Sequence, residues 1–373
     1  MFRHTIPLGR ILGIPIDLDY SWFLIAILIT WTLAVSYYPA EVPGGASGEY
    51  WLMGALTAVL FFASILIHEL AHSAVALRYK VPVSRITLFI FGGVSQIAGE
   101  PPSAMAEFLI AVVGPLTSLA LAAFFYLLEP LLAQIAPALA IAKYLALINA
   151  MLGLFNLIPG FPLDGGRVFR AIVWGAIKDF RRATMIAATT GRFFGFVFII
   201  GGVWDAIRGD VFNGLWIAFI GWFLESAAGA QVQQQMVQGL LGHHKVSEAM
   251  GEACIHVPAN TSLQNLVDQE VLAHARRCFL VDQGDHVAGL LTLHDVKEVP
   301  RPSWNTTTAA QAMVPLDKSH KIDSTAELWS AMEKMSRDGI NELPVMQGNT
   351  VIGLLSMADI VKYLQTMQQL RSA

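Results

Sequence analysis

Charged side chains are scarce in this 373-residue sequence, in which Asp, Glu, Lys and Arg together account for only 14% of the residues. Hydrophobic residues account for 55%, a larger share than an ordinary soluble domain carries. The scarcity of charge excludes a chain that is soluble throughout and indicates a membrane protein. The formal net charge of -4 leaves no basic surplus, so we expect no nucleic-acid partner.

Cysteine is almost absent from the sequence. Its only two cysteines, Cys254 and Cys278, form no Cys-x-x-Cys pair. This spacing argues against both a disulfide framework and a metal knuckle. Because both residues fall in the more polar C-terminal third, we expect reduced thiols in a cytosolic domain.

Long uncharged runs are confined to residues 1–230, whereas residues 245–373 have the composition of a soluble domain. Runs of this length and composition predict a polytopic α-helical membrane protein with about six spans. The last two predicted spans are short. The predicted ranges are 21–38, 51–77, 108–128, 140–158, 193–204 and 211–224.

Lysine and arginine are distributed unevenly about these spans. Under the six-span scheme, eleven of them fall on one side of the membrane and two on the other. The positive-inside rule then places both termini in the cytosol, and we expect a protein of the cell membrane. The larger group is Arg3, Arg10, Arg78, Lys80, Arg85, Arg167, Arg170, Lys178, Arg181, Arg182 and Arg192, and the smaller group is Lys143 and Arg208.

Two histidines and a glutamate lie inside the second run, in the segment His68-Glu69-Leu70-Ala71-His72. Ionisable groups at this depth are costly, so their presence favours a functional role. In a helix, His68 and His72 project from one face and can reach one metal ion, while Glu69 points elsewhere. Glu69 is then free to act as a base on water instead of filling a coordination position. The alternative is a chance match, or a polar patch satisfied by neighbouring helices.

A catalytic zinc ion needs a third protein ligand and one position left open. We predict Asp164 as this ligand, because it follows the helix break at Pro159 and Pro162 and lies at the same depth as the histidines, in the same half of the membrane. Aspartate before two glycines is also typical of a turn residue or a helix N-cap. On the residues alone, this alternative stays open.

Residues 86–97 are too few to span the membrane and are rich in β-branched and aromatic side chains. They predict a β-hairpin that turns near Gly92 and Gly93, and the alternation in residues 13–19 predicts another short strand. An open sheet edge is not tolerated in hydrocarbon. The hairpin must therefore lie against protein, line a wet cavity or wait for a partner strand such as substrate. A simple interfacial hairpin is the alternative.

The C-terminal region contains an internal repeat with an offset of 64 residues. Each copy predicts a helix, two short strands joined by a turn, and a second helix. We therefore expect a membrane domain at 1–228, a linker at 229–244 and a soluble α+β domain at 245–373. The repeated stretches are 279–284 with 343–348, and 289–296 with 353–360.

The histidine motif in one span, with Asn156 to Pro159, Pro162 and Asp164-Gly165 beyond another, closely resembles the site-2 protease family of intramembrane zinc metalloproteases. The resemblance covers roughly residues 8–225. It implies one zinc ion per chain, held by His68, His72 and Asp164, with Glu69 as general base. It also implies a transmembrane protein substrate in the lipid bilayer, cut within or beside a membrane helix in regulated intramembrane proteolysis.

The same resemblance bears on Asn156 and on the hairpin. Asn156 would position substrate or stabilise the developing oxyanion. The alternative is an amide that satisfies backbone groups freed at the helix break. In this family a membrane-embedded strand region adjoins the active site, which implies that Gly92 and Gly93 belong to a substrate-docking edge.

The repeats resemble a tandem of CBS modules, at 245–300 and 307–367. The resemblance implies that an adenine nucleotide regulates the enzyme and that a homodimer forms through the modules. The alternative is that the residues concerned are helix caps in a purely structural module, and no basic cluster for phosphates is evident in the sequence. The residues that would contact the ribose are Thr292 with Asp295, and Ser356 with Asp359.

Two other functions compete with intramembrane proteolysis. A CBS-regulated transporter or channel could use the histidine motif as an ion site, but such proteins usually contain repeated half-structures and none is found in residues 1–230. A membrane-anchored zinc peptidase that cuts soluble or misfolded chains would share the motif. It would differ only in where the scissile bond enters.

Overall fold

The computed structural model describes residues 5–97, 99–251, 254–274, 276–284, 286–315, 320–348 and 350–372. The chain divides into two compact units, Met1–Gln235 and Met236–Ala373. The first is mainly helical and holds the long apolar segments, and the second mixes short helices with strands. This confirms the predicted fold class.

Six helical segments of the described chain are long and apolar enough to cross a membrane. The first consists of α1, a π-helical stretch and α2, and the others are α3, α4, α5, α7 and α8. The last two are longer than predicted, because each helix continues into the polar residues that flank its apolar stretch. The ranges are α1 Ser21–Thr32, π-helix Leu33–Tyr37, α2 Tyr38–Glu41, α3 Ser47–Arg78, α4 Ala104–Leu132, α5 Ala136–Asn156, α6 Asp164–Ile177, α7 Phe180–Ile207 and α8 Val211–Leu241.

A four-stranded sheet adjoins these helices, with strand order β1-β2-β3-β4. Strand β2 pairs with β3 in parallel, which brings the segment before α1 beside the segment after α3. The predicted hairpin is confirmed, but its turn lies at Ile90 and Phe91, so both glycines belong to the following strand. The strands are β1 Thr5–Ile11, β2 Ile14–Asp19, β3 Val83–Phe89 and β4 Gly92–Ile97.

Helix α4 packs against α3, α5 and α6 and is central to the membrane unit. Its start is capped by Ser103, whose side chain accepts a hydrogen bond from the backbone N–H of Ala106. Small residues on its buried face, including Ala106, Ala111 and Gly114, allow the neighbouring helices to approach closely. This close packing sets the distance between α3 and the start of α6.

The second unit confirms the predicted repeat. Strand β6 begins at Cys278 and β10 at Glu342, which are 64 residues apart, and the hairpins β6-β7 and β10-β11 carry a register shift at the same repeat position. Its helices are α9 Val246–Ala249, α10 Leu263–Leu266, α11 Leu293–Glu298, α12 Ala309–Ala312, α13 Leu328–Asp338 and α14 Met357–Ser372. Its strands are β5 Ile255–Pro258, β6 Cys278–Gln283, β7 His286–Thr292, β8 Val314–Pro315, β9 Ile322–Asp323, β10 Glu342–Gln347 and β11 Thr350–Ser356.

The prediction of reduced thiols is wrong, because a disulfide bond joins Cys254 to Cys278. Cys254 directly precedes β5, and β5 pairs in parallel with β6 so that Ile255 lies opposite Phe279. The residues one position earlier, the two cysteines, therefore also lie opposite each other, with 4.8 Å between their Cα atoms. The sequence spacing of 24 residues contains no sign of this pairing.

The predicted linker at 229–244 coincides largely with the end of α8, and the division between the two units falls inside it. The domain boundaries themselves stay a prediction.

Candidate metal centre

Helix α3 places His68 and His72 on one buried face, where each residue keeps an exposure of only 4%. Four residues make slightly more than one helical turn, so the two imidazoles lie one above the other. Their Nε2 atoms are 3.1 Å apart. Two nitrogen donors therefore face the same point in space.

Asp164 is the first residue of α6 and adds an oxygen to this pair. Its Oδ2 atom lies 3.0 Å from Nε2 of His68 and 3.1 Å from Nε2 of His72. The N-cap residue of α6 is Leu163, which has no capping side chain. The carboxylate of Asp164 is thus directed at the histidines, although 92 residues separate it from His72 in the sequence.

Helix α4 orients both imidazole rings through their other nitrogen. Nδ1 of His72 lies 2.6 Å from the backbone oxygen of Ile110, and Nδ1 of His68 lies 2.8 Å from Oγ of Ser118. A carbonyl can only accept, so Nδ1 of His72 carries the proton and Nε2 keeps its lone pair for a metal. The sequence alone did not identify Ser118 as a partner of His68. Its only indication there was a hydroxyl group within an uncharged predicted span.

Gly114 of α4 keeps the space beside the two Nε2 atoms clear. A Cβ atom at this position would lie 2.2 Å from Nε2 of His72 and 2.6 Å from Nε2 of His68. Both distances are shorter than real Cβ contacts, so a side chain at position 114 would displace the imidazole rings, and glycine leaves them in place.

The donor set fits zinc. Two imidazole nitrogens and one carboxylate oxygen are ligands that zinc prefers, and the three atoms lie 3.0–3.1 Å apart. Tetrahedral zinc with bonds of about 2.0–2.1 Å places neighbouring ligand atoms roughly 3.3 Å apart. Small movements would therefore accommodate the ion, with a fourth position open.

A cavity of about 730 Å³ adjoins His68, His72 and Asp164. Glu69 and Asn156 both line it, as do Gly92 and Gly93 of β4. The amide nitrogen of Asn156 donates to the backbone oxygen of Leu152, 3.0 Å away. The structure therefore gathers every predicted residue of the membrane site around one space.

Two polar residues at this cavity were missed by sequence reasoning. Ser95 of β4 donates a hydrogen bond to Oε2 of Glu69 at 2.6 Å, and Arg167 of α6 also lines the space. Arg167 follows Asp164 by three residues and so lies on the same side of α6. That spacing was visible in the sequence, whereas nothing there connects Ser95 with Glu69.

The second unit has its own cavity of about 320 Å³, lined among others by Thr292 and Asp295. The Thr292 backbone N–H and hydroxyl each donate to Oδ2 of Asp295 at 2.8 Å, which is a helix cap. Ser356 and Asp359 make the equivalent cap at 2.9 and 2.5 Å, but they are not among the described residues that line this cavity.

Sequence reasoning found no basic cluster in this unit, yet the cavity lining contains Arg277 and Lys297. Glu342 lies in the same lining. Burial raises the pKa of Glu342, and Arg277, with one guanidinium nitrogen 3.5 Å from its carboxylate, opposes that rise. The cavity therefore contains both signs of charge.

Comparisons with known proteins identify the family of this chain. The sequence profile of peptidase family M50 matches residues 56–135 and 130–198, and that of the CBS domain matches residues 313–366. Rip3 of Mycobacterium tuberculosis, named as a zinc metalloprotease, is 36% identical over 367 residues, which cover 97% of this chain and 93% of Rip3. A Synechocystis relative, also named as a zinc metalloprotease, is 32% identical over 98% of this chain and 96% of its own.

Among solved structures, a site-2 protease from Methanocaldococcus jannaschii is 27% identical, covers 61% of this chain and 95% of its own, and has a TM-score of 0.44. The relatives in Mycobacterium and Synechocystis span both units and share the zinc metalloprotease assignment. The chain therefore belongs to peptidase family M50, the site-2 proteases, as an integral membrane zinc metalloprotease with a C-terminal CBS domain.

Proposed function

We propose that this enzyme hydrolyses peptide bonds within or next to transmembrane segments of other membrane proteins. The observation that carries the proposal is the cluster formed by His68, His72 and Asp164. Glu69 adjoins it on the same helix, in a segment that has the length and composition of a membrane span. A soluble substrate would not require catalytic groups at this depth. Membership of a metalloprotease family gives no support to the alternative function as a transporter.

His68, His72 and Asp164 would hold one zinc ion. When bound, the ion supplies Lewis-acid activation of water and of the peptide carbonyl. Glu69 is the general base, which takes the proton from the attacking water and then delivers it to the leaving amine nitrogen. Asn156 lines the same cavity and has an amide that could orient the substrate carbonyl.

Strand β4 is the proposed docking edge for substrate. It pairs with β3 on one side, and in the sheet order it is the terminal strand. The backbone of a helical substrate is shielded by its own hydrogen bonds, so it must unwind before attack. Pairing with β4 would hold the unwound segment extended next to Glu69.

Regulation through the second unit is a separate part of the proposal. Arg277 and Lys297 supply positive charge for a phosphate, and Thr292 and Asp295 lie in the same cavity. An adenine nucleotide bound there would change access to the active site. Thermal unfolding of the full chain with ATP, ADP or AMP tests this, and an unchanged melting temperature at millimolar nucleotide argues against it. A homodimer through these modules stays a prediction.

The decisive test compares Glu69→Gln with His72→Ala in the purified full-length enzyme. Glu69→Gln keeps the size of the side chain, so zinc should remain at one ion per chain while cleavage falls by about two to four orders of magnitude. His72→Ala removes a ligand, so zinc content and cleavage should fall together.

Glu49→Gln is the matched control, because Glu49 lies in the first turn of the same helix. It should leave both zinc content and cleavage unchanged. The substrates are single-span test polypeptides, chosen because the wild-type enzyme cuts them within or beside the span. Normal cleavage by Glu69→Gln would refute the assignment of the base, and cleavage of soluble polypeptides alone would refute the substrate class.

A further inference from the structure

The proposed docking strand also contacts the proposed general base. Ser95 of β4 donates its hydroxyl hydrogen to Oε2 of Glu69 at 2.6 Å and lies 3.3 Å from the backbone oxygen of the same residue. On the same strand, Gly93 is so close to Glu69 that a Cβ atom there would lie 2.6 Å from its Cγ. Glu69 is therefore in direct contact with two positions of one strand.

The alternation of β4 explains why these two positions act together. Residues two apart in a strand face the same side, so Gly93 and Ser95 both face α3, while Val94 between them is 38% exposed. Gly93 provides the space in which the Glu69 side chain lies. Ser95 provides the hydrogen bond that orients its carboxylate.

We infer that Ser95 is a positioning residue for Glu69 and that β4 thereby aligns the base with the peptide bond that it docks. A glutamate side chain has three rotatable bonds, and their freedom must be lost before it can take a proton from a fixed direction. The Ser95 hydroxyl holds Oε2. Among the residues that the structure describes, Oε1 of Glu69 has no hydrogen-bond partner, so this oxygen is the one left for proton transfer.

This inference rests on the proposed function and adds a residue to it. The hydrogen bond joins a hydroxyl to a carboxylate, a class whose loss changes an equilibrium by about ten- to one-hundred-fold. The Ser95 side chain is not a metal ligand, and its removal leaves the backbone edge of β4 in place, so the substitution should affect the chemical step and leave zinc and substrate binding intact.

The experiment uses the full-length enzyme and a single-span test polypeptide that wild type cuts and Glu69→Gln does not. Ser95→Ala should lower kcat by about ten- to one-hundred-fold, with KM within about two-fold and zinc at one ion per chain. Ser95→Thr retains the hydroxyl and should recover most of the lost kcat. The melting temperature of each variant reports any loss of fold.

Ser73→Ala is the matched control. Ser73 donates to the backbone oxygen of Glu69 at 2.8 Å, and its hydroxyl lies 3.3 Å from that of Ser95, but it does not contact the carboxylate. Its loss leaves the hydrogen bond from Ser95 to Oε2 in place and should change kcat less than about two-fold. Substrate binding can be measured without turnover, by comparing the affinity of the same polypeptide for Glu69→Gln and for the double variant Glu69→Gln, Ser95→Ala. The two affinities should agree.

Three results would overturn the inference while leaving the proteolytic function in place. They are a wild-type kcat in Ser95→Ala, a raised KM with unchanged kcat, and an equal loss of kcat in Ser95→Ala and Ser73→Ala. A different result would refute the function itself, and the inference with it. This result is that the wild-type enzyme cuts no test polypeptide faster than Glu69→Gln does.

Discussion

At the scale of one residue, the absence of a side chain at Gly114 allows the imidazoles of His68 and His72 to face one point. A methyl group there would press on Nε2 of both His68 and His72, at 2.6 and 2.2 Å, so Gly114→Ala should displace the rings from their common point. We predict that zinc affinity falls by about ten- to one-hundred-fold, as measured by competition with a chelator. Gly201→Ala is the control, because Gly201 is also helical and a Cβ there would meet nothing within 4 Å. Equal zinc affinity in the two variants would contradict the prediction.

Gly93 offers the complementary change on the other side of Glu69. Its Cβ would meet Glu69 Cγ at 2.6 Å and Ile65 Cγ2 at 3.1 Å, and its three nearest atoms include none from a histidine. Gly93→Ala should therefore keep zinc at one ion per chain while kcat falls by at least about ten-fold, because it displaces Glu69, the proposed base. Loss of zinc together with activity would show that β4 supports the metal-binding residues themselves.

The predictability of this site from sequence follows from where its residues lie along the chain. His68, Glu69 and His72 occupy one helical turn, so their relative directions follow from helix geometry alone. The prediction of Asp164 depended in addition on the helix break before it and on its depth in the membrane. Ser118 and Ser95 lie on other elements at spacings that no local rule relates to α3, and only the tertiary packing brings them to the site.

At the scale of elements, a buried ion pair joins α4 to α6. Arg170 of α6 is 8% exposed and Glu107 of α4 is fully buried, and Nε of Arg170 donates to Oε1 of Glu107 at 2.7 Å. The guanidinium also lies over the rings of Phe161 and Phe180, at 5.0 and 4.6 Å from their centroids. One side chain thus joins α6, which begins with Asp164, to α4, which orients both histidines.

Breaking this pair should cost much more than breaking an exposed one. Arg170→Met leaves the Glu107 carboxylate buried without its partner, so the free energy of unfolding should fall by about 3–5 kcal/mol, measured by thermal unfolding in detergent. Lys143→Met removes the exposed partner of Glu41 and should have little effect. The double variant Glu107→Leu, Arg170→Met removes both charges of this pair and should recover much of the lost free energy of unfolding. A double variant no more stable than Arg170→Met would show that the ring contacts dominate.

Elements were predictable where their pattern is local. The β-branched and aromatic side chains of residues 86–97 predicted the hairpin, but its turn lies at Ile90 and Phe91, and Gly93 lies in β4 against Glu69 and Ile65 of α3. The disulfide was not predictable for a related reason. It depends on which strand lies beside which, and the parallel pairing of β5 with β6 is a property of the whole repeat.

At the scale of the whole molecule, six spans place both ends of the membrane unit on one side. The parallel pairing of β2 with β3 supports this arrangement, because two spans separate these strands and an even number returns the chain to the same face. The excess of Lys and Arg around the same segments favours the cytosolic side. The active site would then open toward the cytosol, from which water can reach it.

Cysteine labelling in sealed cells tests this topology. Ala46→Cys lies between the first two spans and should react with a membrane-impermeant maleimide from outside, whereas His243→Cys should react only after permeabilisation. Cys254 and Cys278 are joined to each other, so the wild-type chain is the unlabelled control. Reversed labelling would keep six spans but invert the orientation. Labelling of both positions from one side would mean an even number of spans between them instead of the five of this scheme, and His72 and Asp164 could then no longer be assigned to the same half of the membrane.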